Sequence, residues 1–194
     1  MKNLKILFTI ILAALLFTAC KKDGTDETKK YPEENPQALY LEKSGFDQEV
    51  INFINDAYVE QGFKFKPKVK GKINAVTLKI PDNESNARVT IWNADTKTVI
   101  RTITVQSVIA HTEARSDIDP LDIVPTETYI ISFNGNDTYS RRRTDFSDAP
   151  YPIDAGNISV LSAHYTSGQA QAFPTYTMLN SYWGDVSFVF QQTE

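Results

Sequence analysis

The chain has 194 residues, with 20 Lys+Arg against 24 Asp+Glu, a formal net charge of −4 and a hydrophobic content of 41%. A chain this apolar is not disordered, and one this acidic offers no basic surface for nonspecific binding of nucleic acid. Its one cysteine, Cys20, excludes an internal disulfide, so the core has to hold without a covalent staple.

The first element is a leader. Lys2 and Lys5 precede a mostly apolar run over residues 6–17, and small residues follow before Cys20. A positive n-region, a short h-region and small residues at the end predict a secretory signal over residues 1–19. The alternative is a transmembrane anchor, but the run is short for a bilayer, and Lys21-Lys22-Asp23-Gly24 does not read as a stop-transfer flank. Leu16-Phe17-Thr18-Ala19-Cys20 resembles the lipobox of bacterial lipoproteins. The resemblance implies that Cys20 is acylated, becomes the first mature residue and anchors the protein to the membrane. Stable anchoring takes at least two chains, which a diacylated or triacylated cysteine supplies. Removing residues 1–19 takes away two lysines and no acid, leaving 18 basic and 24 acidic residues and a net charge of −6.

Residues 20–45 are expected to be a flexible tether. Between 21 and 37 the only large apolar residue is Tyr31, and Pro32 and Pro36 interrupt the stretch. Its acids also resemble the signal by which some Gram-negative bacteria expose lipoproteins on the outer membrane, so the expected location is the cell envelope. The sole helix-like segment is residues 48–57, where Val50, Ile51, Phe53 and Ile54 recur at helical spacing.

From there the pattern has period two. Phe63-Lys64-Phe65-Lys66-Pro67-Lys68-Val69-Lys70 alternates apolar residue and lysine, with Pro67 suggesting an edge strand. Val76, Leu78 and Ile80 share a face before the turn Pro81-Asp82-Asn83. Residues 88–92 form the next strand, and Asn93-Ala94-Asp95-Thr96 loops into a strand over 99–105. Residues 128–133, 158–163 and 185–190 complete the series, with Val186, Phe188 and Phe190 on one face. Short strands with turn signals between them predict an all-β, antiparallel two-sheet sandwich, jelly-roll-like, over residues 46–194.

Five stretches in succession carry a resemblance. They are Asn55-Asp56-Ala57-Tyr58-Val59-Glu60-Gln61-Gly62-Phe63-Lys64-Phe65, Val69-Lys70-Gly71-Lys72-Ile73-Asn74-Ala75-Val76, Val89-Thr90-Ile91-Trp92, Pro120-Leu121-Asp122-Ile123-Val124-Pro125-Thr126-Glu127-Thr128-Tyr129 and, at the end, Phe173-Pro174-Thr175-Tyr176 ahead of Asn180-Ser181-Tyr182-Trp183-Gly184-Asp185-Val186-Ser187-Phe188. Together they resemble an uncharacterised β-sandwich domain of secreted bacterial proteins, often found beside immunoglobulin-like or carbohydrate-active modules. The chain departs from it by having only Pro81-Asp82-Asn83-Glu84-Ser85 where a glycine-rich hairpin is usual. The resemblance implies no catalytic residues, and it points toward surface carbohydrate biology.

Candidate chemistry is sparse. The two histidines, His111 and His164, are expected in surface loops, and no zinc or nucleophile motif accompanies them. Asp117, Asp119 and Asp122 have the alternate spacing of calcium ligands but lack the glycine such loops use, so Asp122 is expected to face solvent from a strand. No metal and no cofactor is expected. Tyr139, Arg141, Arg142 and Arg143 stand together in a segment read as a loop, where guanidinium forks could hold an acidic glycan. The competing reading pairs them with Asp137, Asp145 and Asp148. Trp92, opposite Val89 and Ile91, is a candidate for exposure, and Trp183 is expected against the last core strand unless it serves as a sugar platform. The expected function is a non-catalytic cell-surface lipoprotein module that binds glycan or extracellular matrix. The alternatives are a structural or adhesive envelope protein and an unrecognised hydrolase.

Overall fold

In the computed structural model, the described residues are 29–46 and 49–194; the leader, Cys20 and the start of the tether lie outside them. Twelve strands and one helix follow in order: β1 (Glu33–Glu34), α1 (Gln37–Ser44), β2 (Glu49–Pro67), β3 (Gly71–Lys79), β4 (Glu84–Asn93), β5 (Thr98–Val108), β6 (Ala114–Ile123) and β7 (Tyr129–Arg142). The last five are β8 (Ile153–Ala155), β9 (Ile158–Ser167), β10 (Tyr176–Met178), β11 (Ser181–Trp183) and β12 (Asp185–Gln192). One sheet has the order β1-β12-β3-β6 and the other β10-β9-β2-β7-β4-β5, with β11 on β7 and β8 on β9. All pairings are antiparallel, and the apolar faces of the two sheets enclose one core.

The period-two alternation places the core. Phe63 and Phe65 of β2 are buried while Lys66 is exposed, and Val186, Phe188 and Phe190 of β12 are buried opposite them. Phe188 stacks on Phe63 and meets Phe65 at 4.5 Å between centroids, joining the two sheets. The β4–β5 turn forms as read: Asn93 Oδ1 accepts from the amides of Asp95 and Thr96, which is an Asx turn.

Three expectations are corrected. Residues 49–57 are the start of strand β2 and not a helix, because β7 offers them a partner from Glu49↔Arg142 to Ile54↔Asp137. β2 is not an edge strand; it lies between β7 and β9, and Pro67 is tolerated because pairing with β7 has ended at Phe65. The tether does not extend to residue 45. β1 pairs with β12, and α1 buries Tyr40, whose ring packs on Phe46, Phe63 and Tyr182. The Tyr40 and Tyr151 hydroxyls are 2.6 Å apart. Gly45, left-handed at φ 75°, ends the helix, its amide donating back to Leu41 O and Glu42 O.

Candidate functional site

The outer face of the larger sheet is covered around Trp92. Trp92 is 3% exposed, not an open platform, because Phe173 crosses it edge-on at 5.7 Å. Its indole Nε1 donates to Ser132 Oγ (2.8 Å), which donates to Glu60 Oε1 (2.5 Å), and Arg88 Nη2 donates to Glu60 Oε2 (3.1 Å). Burial pushes the Glu60 carboxyl up, against the pull of the Ser132 and Arg88 bonds. Residues 168–175 strap this face. Gln171 Nε2 donates to the hydroxyls of Thr90 and Thr102, and Arg88 Nη2 also donates to Gln169 O.

His164 belongs to this strap's seat. It is buried in β9 and not on a surface loop, with Nε2 against Ser162 Oγ (2.9 Å) and Nδ1 against Pro174 O (3.2 Å). Burial holds its pKa below the usual value. His111 is exposed in a turn, with Nδ1 2.6 Å from the Tyr139 hydroxyl.

Tyr139, Arg141 and Arg142 lie in strand β7, so the four candidate residues do not form one open loop. The Tyr139 ring is buried, with Lys79 Nζ 5.7 Å from its centroid. Arg141 grips Asp185 with two bonds, Nε to Oδ1 (2.7 Å) and Nη2 to Oδ2 (2.6 Å). Arg142 lies over the exposed Phe146 ring at 4.5 Å, and Arg143 reaches Asp145 at 3.5 Å. Asp117, Asp119 and Asp122 are exposed along β6, and among the described residues no three His, Cys, Asp or Glu side chains are placed to hold a metal ion.

Asp137 is an acid held against another acid. Burial pushes its carboxyl up to about 6, the neighbouring Asp82 carboxyl pushes the same way, and the Thr138 amide and His111 pull back. A folded-state pKa above the unfolded value means that the folded chain binds more protons, so stability falls as pH rises from the unfolded value toward about 6. Asp82→Asn removes the like charge. It should raise the unfolding free energy at pH 7 by up to about 1 kcal/mol for a solvent-screened pair, and leave it unchanged at pH 3. Melting curves across this range check it, and an equal shift at both values would remove the pair as its cause.

The open feature is an aromatic row that joins Trp183, a candidate from the sequence, to Tyr165 and Tyr176. Tyr176, 59% exposed on the edge strand β10, stacks on its register partner Tyr165 at 5.3 Å and 30°. Tyr165 in turn meets Trp183 at 5.1 Å. Tyr165 and Trp183 are half-buried and rest on the core, which fixes the row in place. Trp183 is set by β11 on one side and by Gly184 on the other. Gly184 has φ 73°, and its amide donates to Tyr139 O (3.0 Å). A Cβ there would come within 3.1 Å of Gln61 Cγ, so both the backbone conformation and the space call for glycine. Only the β9–β10 register brings the two tyrosines together.

No curated protein matches this chain. A family model does match, over residues 48–184, a span that includes all of β2–β11 and the aromatic row. The chain therefore belongs to the family described as domain of unknown function DUF4082.

Proposed function

We propose that this protein is an exported lipoprotein of the bacterial cell envelope, anchored through Cys20, whose sandwich is a non-catalytic carbohydrate-binding module. The observation that carries the binding half is the Tyr176–Tyr165–Trp183 row: three rings in contact, one largely in solvent, on a rigid sheet edge. Sugar rings present flat C–H faces, which stack on such side chains at little ordering cost. The row also lies beside the strand bearing Arg142, since Ser181 and Trp183 of β11 pair with Arg142 and Ser140. The bond between Ser162 and His164 is where a hydrolase would be sought, and the strap shields both residues from solvent. That supports binding over catalysis.

A glycan array tests the row. The whole chain should bind a set of glycans, and Tyr176→Ala and Trp183→Ala should each weaken those signals roughly tenfold while leaving the melting temperature within about 2 °C for the exposed Tyr176. Signals unchanged in both variants would sink the reading. The anchor is tested separately. Cys20→Ser should move the protein from the membrane to the soluble fraction without changing the fold, because one thiol carries every acyl chain. Membrane retention equal to wild type would exclude lipidation as the anchor.

A further inference from the structure

A second polar site opens on the other side of Gly184 from Trp183. A cavity of about 360 Å³ is lined by residues that include Gln37, Leu41, Lys79, Glu113, Arg141 and Asp185. It lies where the start of α1, the end of β3, the approach to β6, the C-terminal part of β7 and the first residue of β12 meet.

Its chemistry follows from one pairing. Asp185 and Lys79 are register partners on β12 and β3, yet both oxygens of Asp185 are taken by Arg141. Lys79 therefore has no carboxylate partner among the described residues, and its ammonium rests 5.7 Å from the Tyr139 ring centroid. Glu113, exposed at the rim, also makes no ion pair among the described residues. Gln37 is the third polar group. Its carboxamide makes no side-chain hydrogen bond among the described residues and is open to the cavity, while its backbone amide is satisfied by Asn35 Oδ1 (3.0 Å).

We infer that this cavity binds a single uncharged sugar residue, held by Gln37, Lys79 and Glu113 against the apolar wall of Leu41. The lining holds two cations and two anions, so its net charge is zero. A free anion would be drawn to Lys79 and repelled by Glu113, and a free cation would meet the reverse. Hydroxyls donate and accept, so one polyol can satisfy an ammonium, a carboxylate and a carboxamide together. The volume lies at the small end of ligand pockets, which suits one ring better than a chain.

The inference rests on the carbohydrate reading for its ligand class, but the two sites can fail separately. The test is a titration of the purified whole chain, in a detergent without sugar, with glucose, galactose, mannose and N-acetylglucosamine, with glycine as a zwitterionic control, following assigned amide signals by NMR. Saturable shifts at Gln37 and Glu113 with at least one sugar are expected. Glu113→Ala, a surface change, should weaken them about tenfold through the loss of a charge-assisted hydrogen bond. Shifts confined to Tyr176 and Trp183 would overturn the cavity and leave the aromatic row standing. Shifts at the cavity with the row silent here and on the array would do the opposite. Response to glycine alone, or to nothing, would overturn the cavity as a sugar site.

Discussion

Phe188→Ala should lower the unfolding free energy by about 3–5 kcal/mol, the range for emptying a buried phenylalanine site. Phe188 is fully buried on the small sheet, and its ring touches Phe63 and Phe65 of the large one. The truncation therefore removes contacts that join the layers, and the neighbouring aromatic rings are too stiff to collapse into the void. Lys66→Ala, on the solvent face of the same β2 strand, should stay within about half a kcal/mol. Urea unfolding of both variants measures the contrast. A Phe188→Ala midpoint equal to that of wild type would remove the aromatic cluster as the junction between sheets.

Arg141→Ala should cost about as much, roughly 3–5 kcal/mol, for a different reason. Asp185 is 3% exposed, and without the guanidinium its charge is left buried with neither bond satisfied. Arg141→Lys should recover only part of the loss, because an ammonium keeps the charge and cannot make the same two-pronged contact. The double variant Arg141→Met/Asp185→Leu should be more stable than Arg141→Ala alone, since most of the cost is the uncompensated charge rather than the missing bond. Equilibrium unfolding of the three proteins decides. A double variant no better than the single one would assign the cost to packing.

Much of the architecture was legible because it is written in local periodicity. The alternation over 63–70 and 186–190 names a buried face without reference to any other segment, and the structure buries that face. What failed needed partners far along the chain. Trp92 lies opposite Val89 and Ile91 as alternation requires, but Phe173 and Ser132 decide that it is covered. Arg141 read as a free fork until β12 brought Asp185 to it. Over residues 49–54 the apolar spacing suits a helix, and pairing with β7 overrides that local signal. The α1 segment falls within the expected tether, because Tyr40 gains its packing only when Tyr151 and Tyr182 are beside it.

The small sheet has an order of assembly built into it. Its central strand β12 is the last one made, and it is flanked by β1, the first, and by β3. Neither neighbour can complete its ladder before residues 185–192 are available. Closing so many residues into one pairing is slow, because long-range contacts reward the chain only after its loop entropy is lost. A ribosome-bound or translocating chain lacking its C-terminal strand thus has no finished sandwich to collapse into. In a chain that emerges from its N-terminal end, this circular closure delays completion of the sandwich until residues 185–192 have appeared.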